Sequence, residues 1–228
     1  MDIELGEAFI AELKDAAEAP VRAVVITGTG SSFSAGVDLF RLIKDGPDYG
    51  QRFLPVLDTM LRDTLTFPKP LIAAVNGHAI AGGCILAAAC DRRIMADGNG
   101  RIGVPELVVG VPFPALPLQI MAARMPDAAF RQLVMSGRTV LVDEALTLGL
   151  IDEKCAADFL LERALAAANQ LGAIPAGAFA LTKEAFTTLI LDRTACLSDL
   201  NARVAHAWMQ PQTYDTIRAY LDRTVGKK

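Results

Sequence analysis

The segment Leu71–Asp97 constrains the fold of this chain more than any other stretch. It begins with an apolar run, Leu71–Val75, which predicts a buried strand. The dipeptide Asn76-Gly77 marks a turn, and after Ala81-Gly82-Gly83 comes Cys84–Cys90, an uncharged run of small and apolar residues. Such a run predicts a helix that is buried on every side. The glycines at the start of this helix let a ligand approach the backbone closely. The first N–H groups of a helix are free and bind a negatively charged oxygen. A core helix after a tight turn is the alternative interpretation.

Strand and helix patterns alternate around this segment. The β-branched run Val21–Thr27 predicts a buried parallel strand, and amphipathic helices are predicted before Pro20 and around Phe53–Leu61. From Leu160 onward the pattern is helical throughout. We therefore predict the α/β fold class, with a core over residues 1–170 and a helical C-terminal region over residues 171–228.

The stretch Gly28–Leu39, which follows the first predicted strand, is a candidate ligand loop. A strand that leads into Gly-x-Gly is typical of dinucleotide sites, but the third glycine of that fingerprint falls at Phe33, so the fingerprint fails. The small residues of Ser34–Gly36 permit a backbone that lies along a ligand. Asp38 is predicted to cap a helix from Leu39 to Lys44, and Asp45–Gly50 to form a polar loop.

Composition excludes several classes of function. The net charge is −4 and no Lys/Arg cluster stands out, which argues against a nucleic-acid partner. No apolar run reaches the roughly 18 residues that a membrane-spanning helix needs, so we expect no membrane partner. Four cysteines lack metal-ligand spacing, which predicts no metal site and reduced, buried thiols in an intracellular, cytoplasmic protein. The first residues lack the features of a signal peptide.

Glu106 is the strongest candidate for acid–base chemistry. It is the one carboxylate inside the apolar stretch Arg101–Val111, and a salt-bridged structural role is the alternative. His78 is predicted to pack and His206 to lie at a surface or interface, and no nucleophile-elbow motif is present. The C-terminal apolar positions predict an interface stripe rather than a cofactor site, namely Leu197, Leu200, Val204, Trp208, Ile217, Tyr220 and Leu221.

Five ordered blocks together resemble the enoyl-CoA hydratase/isomerase, or crotonase, superfamily. They are VVITGTGSSFSAGVDL, KPLIAAVNGHAIAGGCILAAACDRRIMAD, IGVPELVVGV, SGRTVLVDEALTLGLID and ALTKEAF. The resemblance implies a spiral of ββα units and an acyl-CoA thioester substrate, with CoA as part of the substrate and no separate cofactor. It also implies a homotrimer or hexamer assembled through the C-terminal helices.

The same resemblance implies a site. The backbone N–H groups of Val37 and Gly82 would form an oxyanion hole, and Glu106 would be the catalytic residue. The substrate and its CoA would contact Ala35, Gly36, Val37, Asp38, Leu39 and Gly82. Lys183, Lys227 and Lys228 are weaker candidates for contacts with CoA phosphates, in the same subunit or in a neighbouring one.

One departure from the family pattern indicates the subfamily. Similar hydratases carry two glutamates that activate water, and the position of the first is occupied here by Ile85, while the second, Glu106, remains. One base without a second carboxylate favours a 1,3-proton shift. The motifs are closest to mitochondrial-type Δ3,Δ2-enoyl-CoA isomerases. We expect Ile85, Val104 and Leu107 to raise the pKa of Glu106 by desolvation. A hydratase or hydrolase that uses Glu106 alone, or a non-catalytic acyl-CoA binding protein, remains an alternative.

A second departure concerns the start of the chain. Similar proteins usually carry a β-hairpin before their first helix, whereas Met1 falls where that helix begins. We expect either a truncated start or a member without the hairpin, and in the first case an incomplete CoA pocket.

Overall fold

Strand β3, Leu71–Val75, is buried on both faces in the computed structural model, which describes residues 1–224. Leu71, Ala73 and Val75 belong to the main core, whereas Ile72 and Ala74 pack on the opposite face beneath a C-terminal helix. Side chains of a strand alternate between its faces, so a strand buried on both faces is a continuous apolar run. The buried strand predicted at this position is confirmed.

Two four-stranded sheets form the centre of the molecule. The first is parallel throughout and has the order β1 (Val24–Thr27), β3, β5 (Arg92–Ala96) and β8 (Glu153–Cys155). The second has the order β2 (Ser32–Ser34), β4 (His78–Ile80), β6 (Ile102–Gly103) and β7 (Thr139–Val140). In the second sheet β2, β4 and β6 are parallel, and β7 is antiparallel to β6.

Three successive ββα units supply six of the eight described strands, and β7 and β8 follow later in the chain. Each unit places one strand in the first sheet and one in the second, and then enters a helix: α2 (Leu39–Thr66), α3 (Gly82–Ala89) or α4 (Glu106–Val109). Because β2, β4 and β6 are parallel neighbours, their carboxyl ends lie at the same edge of the sheet. The starts of the three helices therefore come together at that edge. The predicted α/β spiral of ββα units is confirmed.

The remaining helices surround this centre. They are α1 (Ile3–Glu18), α5 (Ala115–Arg124), α6 (Asp127–Ser136), α7 (Val142–Thr147), α8 (Leu160–Gly172), α9 (Ala176–Ala195), α10 (Ser198–Trp208) and α11 (Pro211–Thr224), with a 3₁₀ turn at Ala157–Phe159. The helix that covers the outer face of β3 is α8. The predicted helical C-terminal region is confirmed over its described part.

No single helix within residues 1–224 is long and apolar enough to cross a membrane. The segments Ala157–Gly172 and Ala176–Ala195 meet the length and composition criteria only as a pair, with a bend of 101° between them.

The predicted loop at Asp45–Gly50 is wrong, because most of this segment is helical. Helix α2 runs through it with a kink at Gly46, whose φ of +75° is outside the helical region. Glycine adopts this conformation readily. Pro47 follows directly, at the start of the resumed helix, where a missing N–H group costs little.

The cysteines agree with the sequence prediction only in part. All four are free, and Cys84 and Cys90 in and after α3 are fully buried. Cys155 is half-buried and Cys196 is exposed, so the prediction of buried thiols is wrong for Cys196. Cys196 directly follows α9 as its C-cap residue.

The Ser34–Gly36 loop packs directly on the start of α3. A Cβ atom at Gly83 would lie 2.3 Å from the carbonyl oxygen of Ser34. A Cβ atom at Gly36 would lie 2.6 Å from the carbonyl oxygen of Ile80, and Gly36 has a φ of +84°. Only glycine fits at either position without displacement of the neighbouring backbone.

We predict that Gly83→Ala destabilises the protein by about 1–3 kcal/mol, since the new methyl group must push the Ser34 backbone away. Gly177→Ala in α9 is the matched control, because a Cβ atom there would meet nothing within 4 Å. Because Gly177 is exposed and is the second residue of α9, the control should change the stability by no more than about 0.5 kcal/mol. Chemical denaturation measures both values, and equal stabilities for Gly83→Ala and the wild type would contradict the close packing.

Candidate active site

An apolar pocket of about 160 Å³ lies where the starts of α2, α3 and α4 meet. We call it the acyl pocket, after the acyl group that the family resemblance implies as substrate. Its lining is almost wholly hydrocarbon and backbone: Ala35, Val37, Leu39, Leu57, Ile80, Ala81, Gly82, Ile85, Pro105, Glu106, Val109, Val111, Phe113, Pro114, Pro117, Trp208 and Tyr220. Each of the three ββα units contributes to it. The spiral therefore brings together residues that are far apart in the sequence.

Glu106 is the one carboxyl group among the described residues that line this pocket. It is the first residue of α4 and only 7% exposed, and its Oε2 atom has no hydrogen-bond partner within residues 1–224. Burial raises the pKa of Glu106 to about 8, because the charged form loses its hydration. A carboxyl group with a pKa near neutral pH can both accept and return a proton.

The neighbours that desolvate Glu106 differ in part from those predicted. Ile85 is 3% exposed and lines the same pocket, and Val104 is fully buried, as expected. Leu107 is 41% exposed, so the prediction that it helps to desolvate Glu106 is wrong. Successive residues of a helix point in different directions, and Leu107 therefore faces outward when Glu106 faces the pocket.

Val37 lies between two backbone hydrogen bonds made by Met1. The Met1 nitrogen donates to the Gly36 carbonyl oxygen at 2.5 Å, and the Asp38 N–H donates to the Met1 carbonyl oxygen at 2.8 Å. Within residues 1–224 the Val37 N–H makes no hydrogen bond, and Val37 itself lines the acyl pocket.

Gly82 lies at the N-terminus of α3, where the first N–H groups of a helix have no partner within the helix. The preceding residue, Ala81, has a φ of +53°, the one positive φ of a residue other than glycine in the described chain. Such a conformation is strained for alanine and is often found at functional sites. The Ala81 N–H donates to the Gly103 carbonyl oxygen at 2.8 Å, which fixes the turn. Val37 and Gly82 thus offer backbone donors from two adjoining segments.

The residues predicted to contact substrate and CoA fall into two groups. Ala35, Val37, Leu39 and Gly82 line the acyl pocket. Gly36 and Asp38 have supporting positions instead: Gly36 packs against α3, and an Asp38 carboxylate oxygen accepts the Arg41 N–H at 2.9 Å. Asp38 therefore caps α2, as predicted.

The C-terminal stripe is mainly part of this chain's own core, so its interpretation as an interface is wrong for most positions. Four of its members are buried within the chain: Val204, Trp208, Ile217 and Leu221. Trp208 and Tyr220 line the acyl pocket, and the Trp208 indole N–H donates to the Pro112 carbonyl oxygen at 2.8 Å. Leu200 is the member that is clearly exposed. Helical periodicity predicts an apolar face but does not say which surface covers it.

The predicted contact of Lys183 with CoA is also wrong. Lys183 is 8% exposed, and its Nζ donates to an Asp91 carboxylate oxygen at 2.7 Å. The same oxygen accepts the Leu71 N–H at 2.9 Å, so the pair anchors α9 to the start of β3. A buried ammonium group needs such a partner. Lys227 and Lys228 lie outside the described residues.

The two histidines lie away from the acyl pocket. His78 begins β4, and its Nδ1 accepts the Arg101 N–H at 3.2 Å, which agrees with a packing role. His206 is exposed on α10, and its Nε2 lies 2.9 Å from the side-chain nitrogen of Gln210. Within residues 1–224 no group of three or more His, Cys, Asp or Glu side chains is placed to hold a metal ion.

Comparison with known proteins places this arrangement in a family. Residues 1–225 match the family model described as enoyl-CoA hydratase/isomerase. A short-chain-enoyl-CoA hydratase of Clostridium acetobutylicum is 33% identical over 177 residues, which cover 77% of this chain and 67% of the relative.

Solved structures agree with this assignment. An enoyl-CoA isomerase of Mycobacterium tuberculosis, in its apo form, has a TM-score of 0.80 and 30% identity, over 88% of this chain and 87% of that one. The human mitochondrial Δ3-Δ2-enoyl-CoA isomerase shares the fold, with a TM-score of 0.93 and 24% identity over 100% of this chain and 90% of that one. The protein therefore belongs to the enoyl-CoA hydratase/isomerase family of the crotonase superfamily.

Proposed function

We propose that this family member is an enoyl-CoA isomerase that moves a double bond from the 3- to the 2-position. The observation that carries the proposal is the composition of the acyl pocket. Glu106 is its one carboxyl group among the described residues, and Ile85 occupies the position one turn after Gly82. Isoleucine neither binds water nor transfers a proton. A single carboxylate in an apolar pocket suits proton transfer better than the activation of water.

The proposed reaction uses one proton and one base. The Glu106 carboxylate removes a proton from C2 of the 3-enoyl thioester, and the C–H electron pair moves into the thioester to form a dienolate. The dienolate oxygen accepts hydrogen bonds from the Val37 and Gly82 N–H groups. The Glu106 carboxyl group then returns the proton to C4, which leaves the conjugated 2-enoyl product and regenerates the base.

Two features of the pocket favour this reaction. Backbone donors that are already in position stabilise developing negative charge, and removal of one such donor typically costs about 10²–10³ in rate. The apolar lining keeps water away from Glu106, so the carboxyl group is a stronger base than it would be at the surface.

Two other functions, hydration and non-catalytic binding of acyl-CoA, would give different results in the tests below. The names of related proteins include hydratases, such as the relative from Clostridium acetobutylicum. A hydratase that used Glu106 alone would add water to a 2-enoyl ester. A non-catalytic acyl-CoA binding protein would bind both esters and convert neither.

We predict that Glu106→Gln lowers kcat for a 3-enoyl-CoA by at least about 10²–10⁴, the usual contribution of a positioned base. The affinity for a saturated acyl-CoA should stay within a few-fold of the wild-type value, because glutamine has nearly the same shape. Glu162→Gln on the exposed face of α8 is the matched control and should leave kcat unchanged. Steady-state kinetics and calorimetric titration measure the two quantities, and wild-type kcat in Glu106→Gln would remove Glu106 from the proposed role.

The raised pKa predicts the pH dependence of kcat/KM. Burial favours the neutral acid, so below a pH of about 8 the fraction of carboxylate falls about tenfold per pH unit. The rate constant kcat/KM should therefore rise with pH and level off above about 8. A profile that is flat from pH 5 to 9 would contradict a carboxylate base with this pKa.

We also propose that the protein assembles into a homotrimer or hexamer. The support is a set of exposed apolar side chains on neighbouring C-terminal segments: Phe159, Leu161, Leu165, Leu181, Phe186 and Leu189. Three of them are on the long helix α9, among them Leu181, which is 69% exposed, and Phe186, which is 68% exposed. Large exposed apolar patches usually mark interaction surfaces.

We predict that wild-type protein elutes as an oligomer in light-scattering chromatography and that Phe186→Glu shifts it toward the monomer. A buried charge without a partner opposes association. Leu5→Glu on α1 is the matched control, since Leu5 is also exposed (52%) but lies on the first helix. A monomeric wild type, or an equal effect of both variants, would contradict the proposed surface.

A further inference from the structure

A wall of three side chains separates the acyl pocket from a second, larger cavity. This cavity, the outer cleft, has a volume of about 680 Å³ and lies between α2, α5 and α10. Leu57, Pro114 and Pro117 line both the acyl pocket and the outer cleft. These three residues therefore stand between the two spaces.

The volume of the acyl pocket limits what it can hold. At about 160 Å³ it is close to an engineered apolar cavity of about 150 Å³ that binds benzene. Its capacity is thus about six carbon atoms. Under the proposed function, the thioester carbon and C2 to C4 of the substrate already fill about four of these six positions. Only about two further carbons can follow C4.

Core packing, the proline rings and hydrogen bonds to α10 hold the three wall residues in place. Leu57 is 6% exposed and projects from α2 into the core. Pro114 precedes α5 and Pro117 lies in its first turn, where the proline rings fix φ. The Ala115 N–H donates to the Asn201 side-chain oxygen of α10 at 2.8 Å.

A second bond to α10 holds the same segment. The Trp208 indole N–H donates to the Pro112 carbonyl oxygen at 2.8 Å. The stretch from Pro112 to Pro117 is therefore tied to α10 at two points, Pro112 and Ala115. An acyl chain cannot enter the outer cleft unless this part of the wall or the Leu57 side chain moves.

The outer cleft differs from the acyl pocket in chemistry as well as in size. Its lining includes the ion pair Asp58–Arg62, at 3.0 Å, together with Gln51 and His206. The cleft also has apolar lining residues, among them Leu54, Val204 and Met209. An alkyl chain can therefore bury methylene groups in the cleft only when the wall is open, and the closed wall is what limits the chain length.

We propose that the acyl pocket accepts acyl groups of about four to six carbons and that Leu57, together with Pro114 and Pro117, sets this limit. The inference rests on the proposed function for the reaction itself, but the length limit is a property of binding. It can therefore be measured with saturated esters that do not react.

The first test measures Kd for saturated acyl-CoA esters of increasing length, from butanoyl to dodecanoyl, on the wild-type protein by calorimetric titration. Affinity should increase by about fourfold per methylene up to hexanoyl, since each buried methylene contributes about 0.8 kcal/mol, and then stop increasing. A continued gain to decanoyl would overturn the length limit.

Kinetics with the matching 3-enoyl esters separate this inference from the proposed function. The ten-carbon ester should have a kcat/KM at least about tenfold below that of the six-carbon ester, because surplus methylenes do not fit the pocket. Equal kcat/KM values for both would overturn the length limit alone. If no ester reacts while the limit in Kd is present, the proposed function fails and the length limit stands.

Leu57→Ala tests the wall directly. The variant should bind decanoyl-CoA about tenfold more tightly than the wild type, because the pocket then opens into the outer cleft. Leu54→Ala is the matched control, since Leu54 lies one turn earlier on α2 and lines the outer cleft only. Equal effects of the two variants would remove Leu57 from the wall. If Leu57→Ala fails to fold, as judged by thermal unfolding, the wild-type Kd series decides the length limit.

Discussion

Parallel pairing of β2, β4 and β6 is the constraint on which the site depends. It brings the starts of three helices to one edge of the second sheet, although Val37, Gly82 and Glu106 are far apart in the sequence. Each helix start contributes something different: a loop backbone before α2, a free helix N-terminus at α3 and a carboxyl group at α4. The three groups thus come from three copies of one structural unit, ββα, whose sequences do not resemble one another.

Two features that position these groups lower the stability of the fold: a strained backbone at Ala81 and the burial of Glu106. Ala81 adopts a strained positive φ next to the donor Gly82. Glu106 is buried, and its Oε2 atom has no hydrogen-bond partner in the described part of the chain. Its pKa of about 8 means that its ionisation opposes folding. For a carboxyl group with a raised pKa, the folded state holds the proton more tightly than the unfolded chain does. This contribution to stability is therefore full at low pH and is lost as pH rises through about 8.

The sequence predicted the features that have a strong local pattern. The strand Leu71–Val75, the apolar helix after it and the Asp38 cap follow from periodicity and side-chain chemistry, and all three are confirmed. Resemblance to a family supplied the candidate site, and the structure places Val37, Gly82 and Glu106 around one pocket.

Other features have no such local pattern. Strands β6 and β7 have two residues each, too few for a period-two pattern, and their pairing depends on distant partners. The roles of Trp208 and Lys183 depend on which surface covers each helix, which a helical pattern leaves open. The wall formed by Leu57, Pro114 and Pro117 joins two helices that no sequence motif relates.

The most direct test of a single-base isomerase is to give wild-type protein either a 3-enoyl-CoA or the matching 2-enoyl-CoA. The absorbance of the conjugated thioester and the formation of 3-hydroxyacyl-CoA are followed in both reactions. We predict that the conjugated band grows from the 3-enoyl ester and that no 3-hydroxyacyl product forms from the 2-enoyl ester. Formation of the 3-hydroxyacyl product at a rate comparable to isomerisation would mean that water is activated despite Ile85, and it would contradict the account.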